Sequence, residues 1–361
     1  MLTNRVAATI MFAFNIVMEM TLVAAVVCGP TFQKMFGLSE THLGITLGAP
    51  HAGLLLTAII IGRVTQRCGP FPIQAAGLSI ALTGTVLVLS ANGFWPLTFG
   101  LLVLGMAAAC IQNANTTFLS ELFPANIMRI MALAAGLWFG SSVLSSPLFG
   151  AWLTWAKTAD LGTWSFRTLY SGLFILLLLS LFCSVRYLRE VAAKHATSQC
   201  NAAHTDSSIQ RPGNAAGMRQ WFWIPLLSFC HGLMLVSMMS WINPMIQSKF
   251  QTNDFAGSLA FAAMALGIAG GRFLLAGTNL KIDDRILLSL SSILGGTAFA
   301  IGLLCSNYYG TLLSACIGGF FGCATAPCIF SLVGNRFNGI KSMLYGYMEG
   351  SISLAGLLGP A

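Results

Sequence analysis

The chain has 361 residues, of which 56% are apolar and only 8% are charged, with 18 Lys and Arg against 10 Asp and Glu. Soluble domains carry roughly 25% charged residues, so this composition excludes a soluble enzyme, and a disordered chain would be far less apolar. The net charge of +8 is not gathered into the basic face that nucleic-acid binding requires. With a mean hydropathy of +0.78, the chain is predicted to be an all-α, polytopic membrane protein.

Apolar runs of about 20 residues predict eleven membrane-spanning helices, six before a polar stretch at 189–218 and five after it. The stretch places charged residues among Ser, Asn, Gln, Pro and Gly, as mobile linkers do. We therefore predict an N-terminal bundle (1–188), a cytoplasmic linker (189–218) and a C-terminal bundle (219–361). The predicted spans lie near residues 6–29, 41–63, 72–91, 95–120, 127–153, 166–188, 219–246, 255–277, 284–305, 308–333 and 342–361.

The basic residues predict the orientation of these helices. With the N-terminus in the cytoplasm, all but four of the 18 Lys and Arg residues fall on the cytoplasmic side, as the positive-inside rule requires. We therefore expect a multi-pass protein of the cell (plasma or inner) membrane with a cytoplasmic N-terminus. A signal peptide is the alternative interpretation of residues 1–29, and Glu19 within the apolar run counts against it. The outer basic residues are Lys34, Lys157, Arg167 and Lys249.

The two halves repeat the same residues at a nearly constant spacing. Span 1 is predicted to end at Gly29-Pro30 and span 7 at Asn243-Pro244, and 244 minus 30 gives 214. Gly62-Arg63 recurs as Gly271-Arg272, and 271 minus 62 gives 209. Such duplicated bundles are typical of secondary transporters. The repeat also predicts a twelfth span that the 361 residues do not contain, so the alternatives are a fragment or a protein with an incomplete second half.

The stretch from Gly62 to Gly69 resembles the loop between spans 2 and 3 of the major facilitator superfamily, with Gln66 where the family has an acidic residue. The resemblance implies two pseudo-symmetric six-helix bundles, of which eleven spans are present here. It also implies loops that close the inward side, since glycines let helices approach and a basic side chain can bond helix carbonyls. Alternatively, the arginines only mark topology. The gating residues implied are Gly62, Arg67, Gly69, Gly271 and Arg272.

Within this superfamily, the second half resembles the sugar porters of the fucose and glucose class. The resemblance implies a sugar-like substrate and symport with protons. In fucose-type porters, carboxylates in spans 1 and 4 are implicated in proton coupling, whereas this chain has Glu19 in span 1 and no acid inside span 4. The matching residues are Ser240-Trp241-Ile242, Gly267, Gly271-Arg272, Ala326-Pro327 and Phe330.

Two acidic residues, Glu19 and Glu349, lie well inside the predicted spans. An ionised carboxylate at the bilayer centre costs about 2.5–3.5 kcal/mol on insertion scales, so such groups tend to be protonated, paired or exposed to water. We predict that Glu19 couples transport to protons, with Asn15 on the same helix face, and that Glu349 is a second proton-coupling candidate. The alternative for each is a structural hydrogen bond to a neighbouring helix.

Span 4 holds the densest group of polar side chains in any span. Amides both donate and accept hydrogen bonds, which suits an uncharged, hydroxyl-rich solute, and a Trp in span 7 could stack on a sugar face. Alternatively, these groups join helices, and Trp241 anchors the helix at the membrane interface. The predicted substrate-binding residues are Asn15, Gln112, Asn113, Asn115, Thr116, His231 and Trp241.

No nucleophile elbow or HExxH sequence is present, and the cysteines lack metal-ligand spacing. We therefore expect a protein that is not an enzyme and has no metal and no cofactor. The expected partners are a small-molecule substrate, protons and the lipid bilayer, with no nucleic acid, and the expected assembly is a monomer. The alternatives to a sugar porter are an amino-acid, drug or metabolite carrier of the same fold, or a membrane sensor or receptor that transports nothing.

Overall fold

The computed structural model describes residues 2–123, 126–188, 215–278, 284–336 and 341–358, and nearly all of them are helical. A π-helical turn, Ser184–Leu188, follows the sixth helix. In chain order the helices are α1 (Leu2–Phe36), α2 (Glu40–Cys68), α3 (Pro70–Leu89), α4 (Phe94–Leu122), α5 (Ile127–Thr158), α6 (Trp164–Cys183), α7 (Ala215–Phe250), α8 (Asp254–Gly277), α9 (Asp284–Leu304), α10 (Tyr308–Gly322), α11 (Thr325–Arg336) and α12 (Lys341–Leu358).

The described helices match the predicted pattern of membrane spans. Helices α10 and α11 together form one crossing, Tyr308–Gly334, and with this crossing counted once, ten are long and apolar enough to span a bilayer. Helix α12, with 18 residues, occupies the eleventh predicted span and lies outside that set of ten. Residues 189–214 of the predicted linker lie outside the described residues, and 215–218 begin α7. The domain limits therefore stay predictions.

Large apolar side chains face outward around the molecule. Leu148 is 66% exposed, Ile293 65% and Ile60 61%. In water, apolar surface of this extent would drive association, whereas lipid tails solvate it without cost. The polytopic membrane fold predicted from the composition is confirmed.

Two of the predicted helix ends are wrong. Helix α1 continues through Pro30 to Phe36, and α7 continues through Pro244 to Phe250. A proline inside a helix removes one backbone hydrogen bond, and neighbouring helices in a bundle can compensate for it. Helix α5 likewise passes through Pro147.

Helix pairing repeats between the halves. In the first half, α4 packs against α2 and α3, and in the second half α10 packs against α8 and α9. At the first crossing, a Cβ atom on Gly53 or Gly105 would overlap backbone atoms of the facing helix, and Gly267 and Gly319 are equally tight at the second. Since 267 minus 53 and 319 minus 105 both give 214, the same close crossing occurs twice at the spacing of the sequence repeat.

The largest contacts between the halves are made by two helix pairs, α5 with α8 and α2 with α12. We call the side on which α1 begins the N-side. There, Arg129 Nε donates to the Ala276 carbonyl at 3.0 Å, and Ser342 Oγ donates to the Gly62 carbonyl at 3.3 Å. Hydrogen bonds therefore join the halves on the N-side.

On the opposite side, the halves are joined by an ion pair between Lys157 and Asp254. Lys157 lies in the last turn of α5, and Asp254 is the first residue of α8. The Asp254 side chain is 2% exposed and that of Lys157 is 41% exposed. The carboxylate is thus buried, while its partner reaches the pair from the surface.

This asymmetry predicts which substitution is worse. Lys157→Met leaves a buried carboxylate without its counter-ion, so it should destabilise the protein by about 1–3 kcal/mol. Asp254→Asn leaves only a half-exposed ammonium and should cost less, because water screens it. The melting temperature of the purified protein in detergent should therefore fall further for Lys157→Met. Equal losses from both single variants would contradict the asymmetry, and the double variant Lys157→Met/Asp254→Asn should recover most of the loss.

Candidate functional site

A cavity of about 260 Å³ lies between the two halves. Helices α1, α2, α4 and α5 line it from the first half, and α7, α8, α11 and α12 line it from the second. Most of its surface is apolar, and the aromatic side chains on it are Trp138, Phe139, Phe261 and Phe330. A mainly apolar cavity with a few polar groups is the usual form of a small-molecule site.

The structure brings together many of the predicted site residues at this cavity. Glu19 and Glu349, the two acids predicted inside the spans, both line it. His51 of span 2 also faces it from α2. The predicted substrate-binding residues that line the cavity are Asn15, Gln112, Thr116 and His231.

Glu19 is held between α1 and α5. Its carboxyl group is 3% exposed, and Ser142 Oγ donates to its Oε1 at 2.6 Å. Trp138, one helical turn before Ser142, lines the same cavity. Glu19 therefore has a polar partner on a helix of its own half and faces the cavity at the same time.

Three predicted substrate-binding residues are not on the cavity surface. Asn113 Nδ2 donates to the Ser342 carbonyl at 3.2 Å and so joins α4 to α12. Asn115 Nδ2 donates at 2.6 Å to Oδ1 of Asn15, which does line the cavity. Trp241 is partly exposed and is absent from the cavity lining. Asn115 can therefore orient a binding residue, whereas Asn113 occupies a helix interface.

Arg272, predicted to belong to a gating loop, lies inside a helix, and its gating role stays a prediction. Arg272 lies inside α8, which continues to Gly277, and its side chain is 4% exposed and lines the cavity. A guanidinium buried at this depth in a bundle requires partners or water. Its position makes Arg272 a candidate for contact with a solute.

The sequence of α11 explains how Arg272 is held. Proline has no backbone N–H, so Pro327 cannot bond the carbonyl four residues earlier, that of Cys323. The released Cys323 carbonyl accepts a hydrogen bond from Arg272 Nε at 3.3 Å, and the helical ladder resumes with Cys328 N–H to Ala324 at 3.1 Å. The guanidinium carbon also lies 4.7 Å from the centre of the Phe139 ring, within cation–π range.

The other predicted gating residues lie at helix ends and crossings. A Cβ atom on Gly62 would lie 2.7 Å from the Ser342 carbonyl oxygen, so α2 and α12 approach closely there. Gly271 is packed against α10 in the same way. Gly69 ends α2 with φ = 79°, a conformation that favours glycine. Gly62 and Gly271 are therefore at tight crossings, whereas nothing lies within 4 Å of a Cβ atom placed on Gly69.

Like Arg129, Arg63 reaches across the halves on the N-side, where its Nη2 donates to the Tyr347 hydroxyl at 3.2 Å. Arg67, the residue that matches the family loop, is exposed. Its gating role stays a prediction.

Sequence reasoning missed Trp138 and Phe139, which line the cavity. It also missed the hydrogen bond that Ser142 donates from α5 to Glu19. The available signal was helical spacing, since residues 138 and 142 are four apart and share a face. That spacing alone does not reveal which face of α5 looks into the cavity.

Comparison with known proteins gives one result at the level of a family. The family model described as Major Facilitator Superfamily matches residues 6–360. A search of curated proteins found no match.

Proposed function

We propose, from the premise that this chain belongs to the major facilitator superfamily, that it moves a small organic solute through its central cavity and couples this movement to protons. A membrane transporter of the major facilitator type is what the family implies. Such transporters expose one central site to each side in turn by rocking two bundles. The solute and the proton coupling are our proposals.

The observation that carries this proposal is the position of Glu19. Its carboxyl group faces a cavity between the halves, is almost fully buried, and keeps a hydrogen bond to Ser142. Intramembrane carboxyl groups of this kind serve as proton relays in pumps and transporters. Glu349 lines the same cavity from α12 and is the second candidate.

A sugar-like solute is one candidate substrate, and the polar groups of α1 and α4 support it. Asn15, Gln112 and Thr116 offer donors and acceptors on the cavity surface, which suits hydroxyl groups. The four aromatic side chains offer faces on which a sugar ring can stack. An amino acid or another metabolite fits the same cavity, whose volume of about 260 Å³ is at the small end for ligand sites.

We further propose that the N-side is cytoplasmic and that the working unit is a monomer in the cell membrane. The distribution of Lys and Arg supports this orientation. The cavity supports a monomeric unit, because both halves that line it belong to one chain.

Solute uptake into proteoliposomes tests the proposed function. The purified chain is reconstituted, and labelled sugars, amino acids and carboxylates are offered under an imposed pH difference. Each pH unit corresponds to about 1.4 kcal/mol per proton, so a coupled solute should accumulate about tenfold per unit. Accumulation should disappear in protein-free vesicles and after a protonophore is added. If no solute moves under any gradient, a sensor or receptor that transports nothing replaces this proposal.

A further inference from the structure

We propose that the solute is a small organic anion, with a carboxylate that Arg272 and His231 bind and an apolar body that lies against the aromatic side of the cavity. This inference rests on the proposed transport function and adds the chemical class of its substrate.

The guanidinium of Arg272 has unused hydrogen-bonding capacity. Its Nε donates to the Cys323 carbonyl, and its flat face lies over Phe139. Within the described residues, no hydrogen bond joins either terminal nitrogen to an acceptor, and no carboxylate oxygen lies within 4.0 Å of a guanidinium nitrogen. Arg272 is thus held through its Nε and through the flat face of its guanidinium group. Its two terminal nitrogens, a fork that can bind a carboxylate with two parallel hydrogen bonds, are still available.

The acids of the cavity do not occupy this fork. Glu19 is close enough to Arg272 for their charges to interact, yet its hydrogen bond is to Ser142. Glu349 lies on α12 and lines the same cavity. The charged and titratable side chains on the cavity surface are Glu19, Glu349, Arg272, His51 and His231. When both acids carry protons, the cavity keeps one unpaired cation, which an incoming anion would balance.

His231 supplies a second polar group for the same ligand. It lines the cavity from α7, is 5% exposed, and its Nδ1 is buried without a hydrogen-bond partner among the described residues. A buried nitrogen without a partner costs free energy unless a ligand or water bonds it. Arg272 and His231 interact electrostatically and lie on different helices of the second half. A carboxylate between them would satisfy both.

The rest of the cavity surface determines whether the remainder of the solute is polar or apolar. Phe139, Phe261 and Phe330 lie on it together with Leu235 and Met239, so the space beside the guanidinium is apolar. Against these five apolar side chains, the hydroxyl groups of a sugar would stay unbonded, which is unfavourable. A monocarboxylate with an aromatic or aliphatic body satisfies the charge and buries its apolar part. With a proton on Glu19, such an anion would cross without net charge.

Binding to the purified full chain tests this inference. The probes are benzoate, 3-phenylpropionate and hexanoate, each paired with its neutral amide, together with D-glucose and L-fucose. At least one carboxylate should bind and raise the melting temperature, whereas its amide should bind about 30-fold or more weakly, as loss of one partner of a buried charge pair predicts.

Variants locate the anion at Arg272. Arg272→Gln should weaken binding of the carboxylate about 30-fold or more, and Arg272→Lys should be intermediate because a point charge replaces the fork. Arg186→Gln is the matched control, since Arg186 is exposed in the π-helical turn after α6 and lies outside the cavity lining, and the affinity of this variant should equal that of the unmodified chain. His231→Ala should weaken binding of the carboxylate more than binding of its amide.

Two results would overturn the inference. The first is an amide or sugar that binds as well as every carboxylate, and the second is a correctly folded Arg272→Gln variant that binds the carboxylate unchanged. If Arg272→Gln does not fold, the affinities of the unmodified chain for each carboxylate and its amide still decide whether the solute is an anion. If a neutral solute is taken up and no carboxylate binds, the proposed transport function holds and the inference of an anionic substrate fails. Absence of flux for every solute would remove both.

Discussion

The Glu19→Gln variant is expected to equilibrate the solute across the membrane without concentrating it. Glutamine keeps the size and the hydrogen bond from Ser142 but cannot take up a proton at Oε1. For one coupled proton, accumulation under a difference of one pH unit should fall from about tenfold to about onefold, while exchange of labelled for unlabelled solute continues. Uptake and exchange are measured in the same proteoliposomes.

Two companion variants separate the roles of the acids. Glu40→Gln removes a carboxylate from the exposed first turn of α2 and should keep full accumulation. Glu349→Gln removes the other carboxyl group of the cavity. If Glu19→Gln accumulates normally and Glu349→Gln does not, the coupling assignment moves from α1 to α12. If both accumulate normally, the solute moves without proton coupling at either residue.

Gly105→Ala should be strongly destabilising although it adds one methyl group. A Cβ atom there would overlap the carbonyl of Pro50, so α2 and α4 must separate. Backbone cannot move aside as a flexible side chain can, and overpacking of this kind costs about 1–3 kcal/mol or more. We expect a lower melting temperature in detergent and a smaller folded fraction on size-exclusion chromatography.

The matched control is Gly172→Ala in α6. Gly172 is exposed, and nothing lies within 4 Å of the position of its Cβ atom. Alanine is the better helix former by about 0.5–1 kcal/mol, so this variant should be as stable as the parent chain or slightly more stable. Gly267→Ala, at the equivalent crossing in the second half, should resemble Gly105→Ala. A Gly105→Ala variant as stable as Gly172→Ala would mean that α2 and α4 are not packed as closely as described.

The sequence predicts the architecture well because membrane insertion constrains it strongly. Length and hydropathy locate the spans, since each needs about 20 apolar residues. Prolines are less informative, and the helix ends predicted at Pro30 and Pro244 are wrong because bundles tolerate proline inside a span. The repeat of 214 positions is readable in the sequence, whereas the close glycine crossings it produces require the packed structure.

The candidate site was only partly predictable. Neighbouring residues on a helix point about 100° apart, so Gln112 reaches the cavity while Asn113 bonds α12. The sequence does not show which face of α4 points into the cavity and which contacts α12, because several faces of that helix are buried. Arg272 was assigned to a gating loop because Gly271-Arg272 resembles the repeated loop of the superfamily. In the structure its side chain is held by the Cys323 carbonyl between α10 and α11.

Cys323 lies at the break between α10 and α11, so this break bears on how Arg272 would hold and release the anion proposed above. The acceptor for Arg272 Nε is a carbonyl at that break, so the direction of the guanidinium depends on the angle between the two helical segments. A change in this angle would pull on one edge of the guanidinium and swing its fork without any movement of α8 itself. Bending of a single span could thus set how tightly the charge of the solute is held.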